Sequence, residues 1–142
     1  MRMLILPIAA ILLMTQQSDA QDARSGKTIR QEGQASYFKA GQDGNTQTKS
    51  GEPVAPQDYT AASRDLPLGT VATVTNQKTG KSVDVRINDR GPTRMDRIID
   101  VSERAARDLG MEETGVATVV IEADPSKQPD PQVRSELEAT AR

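Results

Sequence analysis

The stretch KSVDVRINDRGP, residues 81–92, organises the rest of this sequence. Its first part alternates apolar and polar residues, the period-two pattern of a strand with one buried face. The apolar positions are Val83, Val85 and Ile87, and the polar positions are Ser82, Asp84, Arg86 and Asn88. Gly91 and Pro92 then end the regular structure and turn the chain. Asp89 is therefore predicted at a strand end, where a rigid scaffold commonly presents functional groups.

Shorter β-rich segments surround this stretch and predict a mostly-β fold. Residues 70–76 (TVATVTN) are strongly β-prone, and the Gly-containing loop 77–80 joins them to the opening strand as a hairpin. Further strands are predicted at 33–38, 59–63, 98–101 and 116–122. Ser102 is a good N-cap for a short helix that ends at Gly110. Six short strands with one or two short helices predict a compact barrel.

The first residues differ in composition from this domain. Residues 1–20 combine a basic start, an apolar run over 4–14 and a small-x-small end at 18–20, which together predict a secretory signal peptide. The apolar run is short for a transmembrane helix, and an uncleaved anchor is the alternative interpretation. After cleavage we expect no stable insertion in a membrane.

Polar segments flank the domain. Residues 21–32 have no apolar period and are predicted to form a flexible leader. The barrel is predicted over residues 33–123. Residues 124–142 are predicted to be a polar C-terminal tail with a short charged helix over 132–141. Within the domain, the Gly-, Asn- and Ser-rich segment 39–56 predicts a long irregular loop, and such loops are usually functional or disordered.

Missing residue types narrow the chemistry. The sequence has no histidine, which excludes Ser-His-Asp and Cys-His catalysis and any His-based zinc site. An acid or base must then be a carboxylate, Lys or Tyr, and we expect neither a metal nor another cofactor. The sequence also has no cysteine, so neither a disulfide nor a lipid-bearing Cys is expected.

The charge pattern and the signal peptide predict the surroundings of the protein. The formal net charge is -2 and the basic residues are scattered, which argues against a nucleic-acid partner. A disulfide-free exported chain favours a bacterial periplasm or cell envelope. We expect a soluble monomer there.

Six blocks occur in an order known from one protein family. They are GQASYF (33–38), TAASRDLPLGT (60–70), VTN (74–76), RINDRGP (86–92), RIIDVS (97–102) and LGM (109–111). Together they resemble the rare lipoprotein A family of septal-ring lytic transglycosylases, over about residues 33–122. The resemblance implies a six-stranded double-psi β-barrel, related in fold to expansin and barwin domains.

The resemblance also implies a reaction. Members of this family cut peptidoglycan glycan strands at the MurNAc–GlcNAc β-1,4 bond, preferring strands with few peptide stems. The MurNAc C6 hydroxyl displaces the leaving sugar and forms a 1,6-anhydro ring. The family's catalytic Asp falls on Asp89, and its His falls on Ser63. A serine cannot take up a proton near neutral pH or carry positive charge.

Asp89 has two interpretations. In the catalytic one it protonates the leaving oxygen of a glycosidic bond. A carboxyl group does so near neutral pH only where burial or a second carboxylate favours its protonated form, and Asp84 and Asp100 are the possible neighbours. In the structural one Asp89 caps its turn through backbone N–H groups and pairs with Arg86 or Arg90.

Asp100 and Ser63 are the next candidates. Asp100 interrupts an apolar strand and is either a second acid or substrate ligand, or a structural carboxylate satisfied by the backbone or by Arg97. Ser63 is expected to line the groove beside Asp89. It is not expected to be a nucleophile, because no base is available to activate it.

Three further residues complete the candidate substrate groove. Arg90 follows Asp89 directly. Tyr37, with Phe38, either stacks on a sugar face or belongs to the core. Glu52 lies in a loop predicted to edge the glycan cleft.

Two functions therefore stay open. The first is an endolytic peptidoglycan lytic transglycosylase with Asp89 as acid. The second is a catalytically weak or inactive wall protein that binds glycan or loosens it as expansins do, favoured by Ser63 in place of histidine.

Overall fold

The computed structural model describes residues 27–39 and 47–141. The signal peptide, the start of the leader and part of the 39–56 loop lie outside these residues. The strands are β1 Ile29–Tyr37, β2 Thr60–Ser63, β3 Val71–Asn76, β4 Ser82–Asp89, β5 Ile99–Val101 and β6 Val116–Ala123. The helices are α1 Glu103–Asp108 and α2 Pro131–Thr140, with a 3₁₀ turn at Pro125–Lys127.

The six strands close into a barrel in the order β1-β5-β2-β4-β3-β6. Strand β1 runs parallel to β5 and β2 parallel to β4, while the other four pairs are antiparallel. Closure pairs every strand on both sides, which removes exposed sheet edges. The prediction of a mostly-β barrel with two short helices is confirmed.

The barrel interior is filled by aliphatic side chains from all six strands. Its buried members include Ala35, Ala61, Val74, Val85, Ile87, Ile99, Val101, Val119 and Ile121. Each fully buried Val or Ile contributes about 1.5–3 kcal/mol relative to an exposed one. Among the described residues no aromatic side chain is fully buried, and Tyr37 packs against the core from its edge, so small and branched residues fill most of the interior.

The short helix α1 begins and ends where the sequence predicts. The Ser102 hydroxyl oxygen accepts a hydrogen bond from the Ala105 backbone N–H at 3.2 Å, and the hydroxyl donates to the Asp58 carbonyl at 2.6 Å. Gly110 has a φ of 71°, the left-handed conformation expected just past a helix end. Ala105 and Ala106 face the core and dock α1 on the barrel.

Strand β1 begins earlier than predicted. It starts at Ile29, so residues 29–32 are not part of a flexible leader. They pair antiparallel with β6, where Ile29 lies opposite Ala123 and Glu32 opposite Val120. The segment carries one apolar residue and therefore shows no period of its own. Its strand conformation is stabilised by backbone hydrogen bonds to β6, and a local sequence pattern contains no information about such a distant partner.

The polar C-terminal segment contains the predicted short helix, as α2, and it packs against the barrel, which the sequence did not predict. Gln128 is 2% exposed and its amide bonds both backbone groups of Val71: Oε1 accepts from the N–H at 2.8 Å and Nε2 donates to the carbonyl at 2.9 Å. Val133 and Leu137 on α2 are buried in the core cluster. We call residues 124–141 the C-terminal strap.

Strand β4 has an irregularity that turns Asp89 away from the core. Ala61 pairs with Ile87, but the next residue of β2, Ala62, pairs with Asp89, so Asn88 is an extra residue. The predicted alternation is therefore wrong at Asn88, which is buried rather than on the polar side. A bulge of this kind re-aims the side chain that follows it.

Candidate active site

A groove opens where β2, β4 and β5 lie side by side. Ala62 pairs with Asp89 on one side and with Asp100 on the other. Neighbouring strands are about 4.8 Å apart, so the two aspartates stand about 10 Å from each other across Ala62. The groove has a volume of about 310 Å³. Its lining is Phe38, Lys39, Thr48, Val54, Ala62, Asn88, Asp89, Arg90, Gly91, Pro92, Thr93 and Asp100.

Asp89 is held by backbone donors on one of its two oxygens. Its Oδ1 accepts from the N–H of Arg90 at 2.8 Å and from the N–H of Lys49 at 3.1 Å. Its Oδ2 accepts no hydrogen bond from the part of the chain that the structure describes. The two N–H groups fix the orientation of the carboxyl group and leave one oxygen for a ligand. Asp89 therefore caps its turn, as the structural interpretation predicts, and also lines the groove.

Asp100 faces the same groove from β5. It accepts a hydrogen bond from the hydroxyl of Ser36 on the parallel neighbour β1, and Ser36 is itself buried. Asp84, the other expected neighbour of Asp89, is exposed and bonded by the Thr73 hydroxyl at 2.7 Å. It lines a different cavity. Asp100 is thus the second carboxylate of the groove.

Ser63 does not line the groove, which corrects the prediction made for it. The residue is 1% exposed, and its Oγ accepts from the backbone N–H groups of Asp65 and Leu66 at 3.3 and 3.1 Å. Successive residues of a strand face opposite sides, so Ser63 points away from the side that Ala62 presents. The alternation of side chains along β2 was the sequence signal that could have identified Ala62, and not Ser63, as the residue facing the groove.

Two arginines tie the walls of the groove together. Arg90 donates from Nη1 to the carbonyls of Ser63 and Leu66, in the turn after β2. Arg64, in that same turn, donates to the carbonyls of Pro92, Arg94 and Arg97. We call this reciprocal arrangement the arginine clamp. Arg90 lines the groove, but its guanidinium is used to position the wall, and it does not pair with Asp89.

Glu52 is likewise a structural residue rather than part of the groove lining. Both of its carboxylate oxygens bind the guanidinium of Arg86 on β4, and the Nη2–Oε2 distance is 2.7 Å. This hydrogen bonding, more than charge attraction, lowers the pKa of Glu52 and raises the pKa of Arg86. The pair anchors the turn 48–52, whose Lys49 N–H binds Asp89. Thr48 and Val54 line the groove in its place.

A second cavity continues the groove past Asp100. Its volume is about 180 Å³, and it shares Phe38, Lys39, Pro92, Thr93 and Asp100 with the first. Tyr37 lines it and donates its hydroxyl to the Glu112 carbonyl at 3.0 Å, which fixes the ring at the surface. Tyr37 therefore lines this cavity and also packs against the hydrophobic core, so it combines features of both predicted interpretations.

Comparison with known proteins assigns the family. A family model described as lytic transglycolase matches residues 30–121, which include all residues of the groove. The chain belongs to the lytic transglycolase family.

Relatives in this family share the barrel sequence. The chain is 46% identical over 123 residues to the probable endolytic peptidoglycan transglycosylase RlpA of Treponema pallidum (strain Nichols), covering 86% of this chain and 37% of that protein. It is 40% identical over 103 residues to the endolytic peptidoglycan transglycosylase RlpA of Haemophilus influenzae, covering 72% of this chain and 36% of that protein. The chain thus spans about a third of the length of these relatives.

The fold also has relatives of known structure. The apo expansin of Clavibacter michiganensis superposes with a TM-score of 0.53 and 27% identity, over 67% of this chain and 50% of that one. The resemblance to the rare lipoprotein A family and the double-psi barrel are confirmed. Across residues 27–39 and 47–141, no helix is long and apolar enough to cross a membrane.

Proposed function

We propose that this protein is an endolytic peptidoglycan lytic transglycosylase that cuts MurNAc–GlcNAc β-1,4 bonds and leaves 1,6-anhydro-MurNAc ends. The observation that carries the proposal is Asp89, which the β4 bulge turns into the groove with one carboxylate oxygen unoccupied by described donors. The family assignment and the names of the relatives support the same reaction.

The chemistry requires one carboxyl group to act twice. In the proposed step the carboxyl group of Asp89 gives a proton to the leaving GlcNAc O4 while the bond from MurNAc C1 to O4 breaks. The C6 hydroxyl then bonds to C1, and its proton returns to the Asp89 carboxylate. No water is consumed, so no second base is needed to activate one. Asp100, oriented by Ser36, serves as an acceptor for a sugar hydroxyl.

Digestion of purified sacculi tests this reaction, with analysis of the released muropeptides. The wild-type protein should release anhydro-MurNAc products, and Asp89→Asn should lower the rate about 100-fold or more, because general acid catalysis contributes about 10²–10⁴-fold. Asp84→Asn is the matched control. It changes the same residue type on the same strand, outside the groove, and should keep the wild-type rate.

The same assay separates the two aspartates. Asp100→Asn should lower the rate less than Asp89→Asn, since it removes a substrate contact and not the proton donor. Complete loss in Asp100→Asn with activity kept in Asp89→Asn would reverse their roles.

The alternative is a glycan-binding wall protein of expansin type. The expansin likeness of the barrel favours it, and so does the buried Ser63 at the position where the resemblance implies a histidine. Wild-type protein that sediments with sacculi yet releases no anhydro product would exclude the enzyme and support this alternative.

We also propose that residues 1–20 direct export and that the mature protein acts in the periplasm or cell envelope as a monomer. The apolar run over 4–14 and the peptidoglycan named for the relatives support this location. The preference for stem-poor strands is part of the same proposal.

A further inference from the structure

The groove has opposite charges at its two ends. Asp89 occupies one end, and the second cavity brings together three cationic side chains at the other. We call the residues Lys39, Arg94 and Arg97 the basic end. Phe38 lines both cavities, so a single strand of sugar lying along the groove would meet the acid and the basic end together.

The three cations of the basic end differ in their partners. Arg94 is exposed and already bound by Asp96, with Nε–Oδ1 and Nη2–Oδ2 distances of 3.1 and 3.0 Å. Lys39 places its Nζ 5.9 Å from the centre of the Tyr37 ring. Arg97 is partly buried, and its guanidinium has neither an ion pair nor a hydrogen bond with any other described residue.

Arg97 forms no ion pair with any described carboxylate, even though Asp100 lines the same cavity. Asp100 accepts the Ser36 hydroxyl and forms no ion pair with Arg97. A partly buried guanidinium whose five donors bind no other described residue is a site for an external planar anion, because arginine binds carboxylates through two parallel N–H groups.

The backbone that carries Arg97 is fixed before any ligand binds. Arg64 donates from Nη2 to the Arg97 carbonyl at 2.7 Å and from Nη1 to the Pro92 carbonyl in the same loop. Ile98, the next residue, donates its N–H to the Gln34 carbonyl at 2.9 Å. Binding at Arg97 therefore costs little backbone ordering.

We propose that Arg97 forms a carboxylate subsite that binds the lactyl group of a muramic acid residue. This inference rests on the proposed function, because it takes the peptidoglycan glycan strand as the substrate. Each muramic acid carries a lactyl ether whose carboxylate is free where the peptide stem is absent and is a neutral amide where a stem is attached. Arg97 thus reads whether a stem is present, at the muramic acid beside the bond that is cut.

The test compares two forms of one polymer. Glycan strands stripped of stems by an amidase are used with their carboxylates free, or after coupling of those carboxylates to methylamine. Binding to each form is measured by calorimetry with the Asp89→Asn variant, and cleavage is measured with the wild-type protein. We expect the free acid to bind and react about three- to tenfold better than the amide, the range for a partly exposed arginine–carboxylate pair.

Substitution of Arg97 should abolish this discrimination. Arg97→Gln should bind and cleave the acid and amide polymers equally well. Both values should match those of the wild-type protein with the amide polymer. Arg30→Gln is the matched control, since Arg30 is an exposed arginine on β1 paired with Glu32 and outside both cavities. It should keep the full preference for the acid.

Each outcome bears on one proposal or both. Equal binding of acid and amide by the Asp89→Asn variant, or discrimination retained in Arg97→Gln, would overturn the subsite even if cleavage occurs. Discrimination in binding without any cleavage would keep the subsite and reject the enzyme. Absence of binding to both polymers would overturn the subsite together with glycan recognition.

Discussion

Glu52 and Arg86 show how a surface ion pair serves the groove at the scale of single residues. The pair joins the 48–52 turn to β4, and that turn supplies the Lys49 N–H bound to Asp89. The side chains of Arg86 and Glu52 are 40% and 43% exposed. Solvent screening at such exposure limits the stabilisation to about 1 kcal/mol or less.

The lowered pKa of Glu52 gives this pair a defined pH dependence. The folded protein binds the Glu52 proton more weakly than the unfolded chain, so the pair stabilises the fold above the unfolded carboxyl pKa of about 4.3. That contribution is lost as the pH falls through the lowered pKa of the folded state. Glu52→Gln should therefore reduce the free energy of unfolding by up to about 1 kcal/mol at neutral pH and by nearly nothing near pH ~2.

Urea unfolding at the two pH values measures this difference. Glu113→Gln is the control, because Glu113 is an exposed glutamate with no ion pair to the rest of the described chain. An equal loss for Glu52→Gln at both pH values would show that the carboxylate charge is not what stabilises the turn.

At single positions the sequence indicated some features and missed others. The strand-end position of Asp89 followed from the alternation and the Gly-Pro pair. The direction of its side chain did not, since strict alternation from Ile87 would turn Asp89 toward the core, and the bulge at Asn88 depends on pairing with β2. The burial of Ser63 was not predicted from the sequence, because the family resemblance places a groove histidine at this position.

The sequence predicted the helix of the C-terminal strap within one residue but not its packing against the barrel. Only Val133 and Leu137 are apolar enough to mark a buried face on α2, and their i,i+4 spacing is too short a signal in a polar segment. Val133 packs so closely over Gly69 that a Cβ atom at position 69 would lie 3.1 Å from the Val133 side chain. Gly69 belongs to the same turn as Leu66, whose carbonyl accepts a hydrogen bond from Arg90. The strap thus supports one wall of the groove from behind.

Removal of the Leu137 side chain should measure the strap's contribution. Leu137 is fully buried, so Leu137→Ala should lower the free energy of unfolding by about 2–4 kcal/mol through lost burial and a cavity. Equilibrium urea denaturation gives the value. Glu136→Ala, an exposed change on the same helix, should cost less than about 0.5 kcal/mol. Similar losses for both variants would mean that α2 does not pack on the barrel in solution.

The whole molecule is built from contacts between distant parts of the chain. Strand β1 pairs with β6 from Ile29↔Ala123 to Ser36↔Val116 and with β5 from Ala35↔Ile99, so closure joins the two ends of the domain. Local patterns located the strands because each has its own apolar face. They could not give the strand order or the parallel pairs, because register is set by partners far along the chain.

Folding kinetics should reflect this topology. Loop closure between distant strands must precede most of the stabilising contacts, so refolding is expected on the millisecond-to-second scale typical of small barrels. Stopped-flow dilution from urea, followed by tyrosine fluorescence, measures the rate. Refolding within microseconds would contradict a mechanism limited by barrel closure.

The arginine clamp has a consequence for how a long polymer enters and leaves. Each wall of the groove is held by a guanidinium from the other, so the two walls form one pre-organised unit. Walls that are fixed before binding need no induced fit when a ligand enters the groove. If the proposed function holds, turnover should be limited by bond breaking or product release and not by wall opening.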